Sequence, residues 1–235
     1  MIVPAQIADG LWEARYETPM MGARMPCRAT VARGADGALV LYGAPPLDDA
    51  VAAAIGALGP VAAIVAPNTF HHLHLADAAR RWPGARLVGP PGLARKRPDL
   101  SFDAVADAPA APLGDGLEVA AILAGPKLHE LAVFHRPSRS LLVADLVFNV
   151  AEPVTRLTGL ILRTTGVRRG LACSRLWRAW TKDRAAHDAA IARIAEWPFT
   201  RVVPAHGAVL EADDAPARLL AAIAKRMGPV AGVAP

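Results

Sequence analysis

Histidine is scarce in this chain, with 7 in 235 residues, yet three of them, His71, His72 and His74, fall together in "APNTFHHLHL" (66–75). A neutral imidazole can ligate a metal ion or relay a proton, and at the start of a helix it can also serve as a packing or capping group. Two further ionisable residues stand in a similar setting, at the end of an apolar run: Asp145 closes "SLLVAD" and His206 closes "RVVPAHG". A charge buried at a strand end is costly without a partner, so these groups are expected to meet. His71, His72, Asp145 and His206 together offer imidazole and carboxylate donors suited to Zn2+, with Fe or Mn as other occupants. Zinc with three such ligands keeps a position for water and lowers its pKa toward ~7, so the chemistry implied is hydrolysis at neutral pH. Asp145 and His71 are the catalytic candidates of the set. The other readings are a hydrogen-bonded histidine cap and an Asp145 that accepts from loop N–H groups. Asn68 either orients a substrate or makes the turn after Pro67, the turn being favoured, and His74 belongs to the helix that follows. His129, His135 and His187 fall outside the site, although His129 could reach it from its loop. Lys96, in "PPGLARK" (90–96), either meets an anionic substrate or sits in a solvated turn.

The elements that must position these groups alternate between short apolar runs and helical patterns. "RATVARGADGALVLYGAPP" (28–46) reads as a strand pair turning at Asp36-Gly37. "LDDAVAAAIGALG" (47–59), acidic at its start and glycine-ended, reads as a helix. "PVAAIVAP" (60–67), "LHLADAARRWPG" (73–84) and "ARLVGPP" (85–91) form a β-α-β unit. Beyond a Pro/Ala-rich connector at 107–112, strands are expected at 116–123, in a hairpin over 130–145 and at 201–207, with a helix over 183–197. Strand-rich halves closed by helices point to a layered α/β architecture. The segment 150–182 fits this scheme least: arginines interrupt its apolar residues, and Trp177 and Trp180 stand at i, i+3. Short helices over the site, a partner interface or a basic stretch touching membrane are the options, beside the plainer one of tryptophans packed on the core.

A chain of this length forms one domain over 1–235, with 150–182 as a basic insertion. The net charge of +5 is scattered, with short clusters only at 94–97 and 167–170, and no continuous aromatic-interleaved basic stripe points to nucleic acid. Only Cys27 and Cys173 are present and no secretory leader precedes them, which suggests a reduced, cytoplasmic setting. No long uncharged apolar run predicts a transmembrane helix. The excess of Ala, Arg and Pro fits a GC-rich bacterial genome.

The order of a strand, a histidine cluster, a later strand ending in Asp and a final "PAHG" resembles the metallo-β-lactamase superfamily over most of the chain. The family's first motif, Thr-His-x-His-x-Asp-His, falls on "APNTFHH" (66–72): Pro67 and Thr69 take the first two histidine positions, His71 takes the aspartate position, and His72 matches. The middle histidine of the family falls near "AGPKLHE", at Pro126, with His129 three residues on. "LLVADLVF" (141–148) resembles the strand carrying the bridging aspartate, here Asp145, and "VVPAHG" (202–207) resembles the final Pro-Gly-His-Gly, here His206. The resemblance implies a four-layer αββα sandwich in which the first metal position has lost its histidines and the second keeps His72, Asp145 and His206 and gains His71. At most one metal ion is expected.

Two functions follow. One is a mononuclear metallohydrolase in which His71, His72, Asp145 and His206 hold the ion and water attacks an ester, thioester, lactone or phosphoester of a small molecule. The other is a metal-free scaffold that binds a ligand or a protein through the old cleft and the 150–182 segment.

Overall fold

The structure, a computed structural model, describes residues 2–20, 22–105, 113–125 and 127–233. The chain opens with strands β1 (Ala5–Ala8), β2 (Leu11–Met20), β3 (Ala23–Arg33) and β4 (Leu39–Tyr42), an antiparallel run. It continues through α1 (Asp49–Gly56), β5 (Val61–Val65), α2 (Leu75–Arg81), β6 (Arg86–Gly89), α3 (Leu93–Lys96) and β7 (Ala104–Val105). Strands β4 to β7 pair in parallel, completing a seven-stranded sheet in sequence order.

The second half begins with a meander of β8 (Leu117–Gly125), β9 (Leu128–His135) and β10 (Ser140–Val143). Helices α4 (Arg156–Thr165), α5 (Arg175–Trp180) and α6 (Arg184–Ala195) lead to β11 (Arg201–Pro204), which lies parallel to β10; β12 (Leu210–Glu211) and α7 (Ala215–Met227) follow. The sheet order is β12-β11-β10-β9-β8.

The side chains sort into layers because strands alternate their faces. In β4, Val40 and Tyr42 enter the core between the sheets, while Leu39 and Leu41 face Val51, Ile55 and Leu75 of α1 and α2. In β10, Leu142 points between the sheets and Leu141 and Val143 meet Ile191, Ile194 and Leu219 of α6 and α7. Strands buried on both faces read as continuous apolar runs, as both of these do. The result is the expected four-layer αββα sandwich.

Helix starts are set by side-chain caps: Asp48 accepts from Val51 N, Thr155 from Thr158 N, Ser174 from Trp177 N and Asp183 from Ala186 N. The hairpin expected at Asp36-Gly37 forms, with Gly34 N donating to Ala38 O, and so does the β5-α2-β6 unit. The long β2–β3 hairpin, paired from Leu11↔Ala32 to Met20↔Ala23, and helix α7 were not expected. The connector at 107–112 and Pro126 lie outside the described residues. The 150–182 segment is helical at α4 and α5. Trp177 is buried and Trp180 packs at the core's edge, while Met25, Cys27, Val150, Leu162 and Val167 bury α4 against the end of β3. No helix among the described residues is long and apolar enough to cross a membrane.

Candidate metal centre

Three of the sequence-predicted residues converge at the carboxyl ends of strands from both sheets. His71 follows β5, Asp145 follows β10 and His206 follows β11. His206 Nε2 lies 3.1 Å from His71 Nε2 and 3.2 Å from Asp145 Oδ1, and His71 Nε2 lies 3.5 Å from Asp145 Oδ2. The three form a cluster of potential metal donors. An ion bound tetrahedrally with bonds of about 2.0–2.1 Å has ligand-to-ligand edges of about 3.3–3.4 Å, so the triangle has the size such an ion requires. Its chemistry fits as well, since two imidazoles and a carboxylate suit zinc and, with open positions, iron.

His206 is oriented for this role. Its Nδ1 lies 2.7 Å from the carbonyl of Pro26, which can only accept, so Nδ1 carries a proton and Nε2 is the nitrogen that faces the cluster. Phe148 stacks on the ring at 4.7 Å between centroids. The turn carrying His206 is clamped by Arg28 of β3, a buried side chain whose Nη1 donates to Pro204 O, whose Nη2 donates to Gly207 O (2.6 Å) and whose Nε donates to Glu13 (2.6 Å). Gly207, at φ +90°, lets that turn close against the 149–150 backbone: a Cβ there would stand 2.2 Å from Asn149 O.

Asp145 and His71 are positioned through Asn68. Its Oδ1 accepts from Phe70 N and His71 N (both 2.9 Å), which makes the turn; its Nδ2 donates to Asp145 Oδ2 (2.8 Å) and to Glu130 (3.1 Å). Glu130, fully buried on β9, also accepts from the backbone N–H groups of Ala144, Asp145 and Leu146 at 2.7–3.2 Å. It therefore fixes the loop that carries Asp145. Burial and the nearby Asp145 charge push its carboxyl up to about 7, against those donated hydrogen bonds. For Asp145, burial alone would raise the pKa, but His71 and His206 outweigh it and hold the carboxyl well below the usual range. Burial likewise opposes a charged His206, and hydrogen bonds to Asp145 and Cys27 overcome it, carrying the ring to about 10. The Cys27 thiol, 3.8 Å from His206 Nδ1, is held below its ordinary value by that histidine despite its burial.

His72 does not join the cluster. Its side chain meets Arg97, with Nδ1 3.3 Å from Nη1, and its carbonyl accepts from the same guanidinium at 2.6 Å. Burial and the Lys96 and Arg97 charges lower its pKa. Successive residues of the turn send their side chains apart, so the adjacent histidines do not converge on one point. His74 stands at the start of α2, edge-on to Tyr16 on the cavity wall. His129 Nδ1 donates to Pro91 O (2.6 Å), His135 lies between Ser138 and Arg33 O, and His187 lies between Trp177 and Asp188. Lys96 Nζ donates to Thr69 O and sits over the Phe70 ring.

Arg28, Glu13 and Glu130 were missed by the sequence reading. For Glu130 a signal existed: a carboxylate inside the otherwise apolar strand "LHELAVFH" needs donors. The cluster opens into a cavity of about 360 Å3. Its walls are mostly apolar and include Met25, Phe70, Phe148, Ile161, Leu162 and Trp180, so α4 and α5 of the 150–182 segment form one side of it.

Searches with family models and against curated proteins return no match. Solved structures do match. A metallo-β-lactamase from Pontibacter korlensis superposes with a TM-score of 0.65 at 17% identity, over 95% of this chain and 99% of that one. The metallo-β-lactamase FIM-1 from Pseudomonas aeruginosa, in its mono-zinc form, gives 0.61 at 16% identity, over 97% and 96%. The metal-soaked Flv1 flavodiiron core from Synechocystis sp. PCC6803 gives 0.60 at 14% identity, over 89% of this chain and 57% of that one. Two packed mixed sheets with helices on both outer faces, superposing on these structures over nearly the whole chain, establish that the protein has the metallo-β-lactamase fold.

Proposed function

We propose that the protein is a metal-dependent hydrolase with a single ion held by His71, Asp145 and His206. The observation that carries this reading is the donor triangle of 3.1–3.5 Å with His206 Nε2 turned into it. Zn2+ is the favoured occupant; Fe and Mn suit the same donors. When bound, a divalent ion in such a site acts as a Lewis acid and supplies an ionised water at neutral pH. The protein's own contribution is position. Asn68 and Glu130 hold the Asp145 carboxylate, Asp145 and His71 face the cavity where water and the scissile group would meet, and the walls of that cavity are mostly apolar. Those walls favour a small-molecule ester, thioester, lactone or phosphoester with an apolar body.

The His72 contacts to Arg97 argue for three protein ligands rather than four. Elemental analysis of protein purified without chelator is expected to find close to one equivalent of metal, kept in His72→Ala and lost in His71→Ala and His206→Ala. Hydrolysis of chromogenic esters and lactones is expected to disappear in Asp145→Ala. Metal below about a tenth of an equivalent in the unmodified protein would sink the proposal, since multi-ligand sites hold zinc tightly, and would hand the cleft to the metal-free binding role.

A further inference from the structure

The mouth of the cavity carries a surface that hydrolysis does not require. Among the described residues, Met20, Phe70, Leu73, Leu157, Leu160 and Leu176 are the large apolar side chains left 36–60% exposed, apart from Val3. Met20, Phe70, Leu73 and Leu176 also line the cavity, so they form its rim. Leu157 lies against Gly22 of the β2–β3 turn, and Leu160 is one turn along α4, next to Ile161 of the cavity wall. Single exposed apolar residues are ordinary, but four at one opening with two more on the adjoining helix mark a contact surface.

The helices beside this rim carry mostly basic charge, while Glu17 and Arg24 pair with each other on the β2–β3 hairpin. Arg156 and Arg163 stand with Leu157 and Leu160 on the exposed side of α4, and Lys127 is exposed at the cavity edge. Between 150 and 182 the sole acidic residue is Glu152, which faces Arg15 at 3.4 Å. Aliphatic side chains interspersed with arginines on a short helix are the composition of interfacial helices, where the apolar part enters the headgroup boundary and the cations meet lipid phosphates. A lipid surface covers these side chains and leaves the opening facing an apolar phase.

We propose that the cavity mouth and the adjoining exposed face of α4 dock on bilayers containing anionic lipids, through Leu157, Leu160 and Leu176 with Arg156 and Arg163. The docking does not depend on whether the site below holds a metal ion. It is tested by co-sedimentation with vesicles of phosphatidylcholine alone and of phosphatidylcholine mixed with phosphatidylglycerol. The full chain is expected to bind only the anionic vesicles and to be released by added salt. Leu160→Glu and the double variant Arg156→Glu/Arg163→Glu should each weaken binding by about tenfold or more, with unchanged melting temperature, while Val3→Glu binds as the parent does. No retention on anionic vesicles, equal retention on both kinds, or retention unaltered in both rim variants overturns the proposal. So does a dimer in light scattering that Leu160→Glu dissociates, because a second copy would then cover the rim.

Discussion

Replacing Arg28 tests how the His206 turn is held. In Arg28→Met the aliphatic stem keeps much of its packing while three interactions vanish: the 2.6 Å pair with Glu13 and the bonds to the carbonyls of Pro204 and Gly207. The Glu13 side chain is 15% exposed, so water can reach it and its loss is the smaller part. The carbonyls are buried among residues that cannot replace the donors, at about 1–3 kcal/mol for each unsatisfied group. Together the change should destabilise the fold by about 3–5 kcal/mol, the usual cost of stripping one partner from a buried ion pair. Against a total stability of roughly 5–15 kcal/mol, that is a large share, equivalent to a fall in Tm of about 6–20 °C for a chain of this size.

Urea denaturation followed by tryptophan fluorescence measures it directly. Arg28→Lys separates charge from geometry, because one ammonium cannot serve three acceptors spread around a planar fork. The lysine variant should recover less than half of the loss. A cost below about 1 kcal/mol in Arg28→Met, or a lysine variant as stable as the parent, would show that the turn is held by its backbone and Phe148 rather than by the guanidinium.

Other expectations follow from the same geometry. Gly207→Ala should destabilise by more than ~3 kcal/mol in denaturant titration, since φ is +90° and the new Cβ would overlap the Asn149 carbonyl. Burial lowers the pKa of His187 below its ordinary 6.5, against the pull of Asp188; the unfolded chain therefore binds the extra proton first. The stability advantage of the parent over His187→Gln should be full above pH 6.5 and shrink as pH falls below it, by at most ~1.4 kcal/mol per unit. Urea titrations across that range check this, and an advantage that grows in acid would refute it. On the one-ion reading, saturating Zn2+ at about a hundred times its Kd adds ~2.7 kcal/mol and should raise Tm by about 5–11 °C in scanning calorimetry, with no such rise in His71→Ala.

The sequence carries the fold and part of the site for identifiable reasons. Asp145 and His206 are legible because each ends an apolar strand, a placement that demands partners. Which of His71 and His72 enters the cluster is not legible, since the two differ only in direction, and direction is set by the Asn68 side chain accepting from His71 N. Arg28 reads locally as one more arginine in "CRATVAR"; its carbonyl partners stand 176 and 179 residues away. The β2–β3 hairpin was not expected although "LWEARYETPM" alternates charged and apolar residues, the pattern of a half-buried strand; only Pro19 near its end weakens that signal.

In the proposed reading, the Pro67–Thr69 turn accounts for one ion rather than two. Where the related motif would place its first two histidines, this chain has Pro67 and Thr69. Pro67 is buried, its carbonyl accepting from Leu131 N, so the turn is tied to β9 through its backbone. Asn68, between them, uses both lone-pair directions of its oxygen and both N–H groups on protein partners, with Glu130 among them. A carboxylate already holding three backbone N–H groups and an amide is poorly suited to ligating a cation. In place of histidines at those two positions, this chain has a closed hydrogen-bond network behind Asp145, which serves the three-donor cluster and leaves little donor capacity beside it. Asn68→Ala should then act on the remaining site. It frees Glu130 and Asp145 at once, and is expected to weaken metal binding by about 10–100-fold without abolishing it, as competition with a chromogenic chelator would report; affinity equal to the parent's would mean that Asp145 is held in place by Glu130's grip on its loop alone.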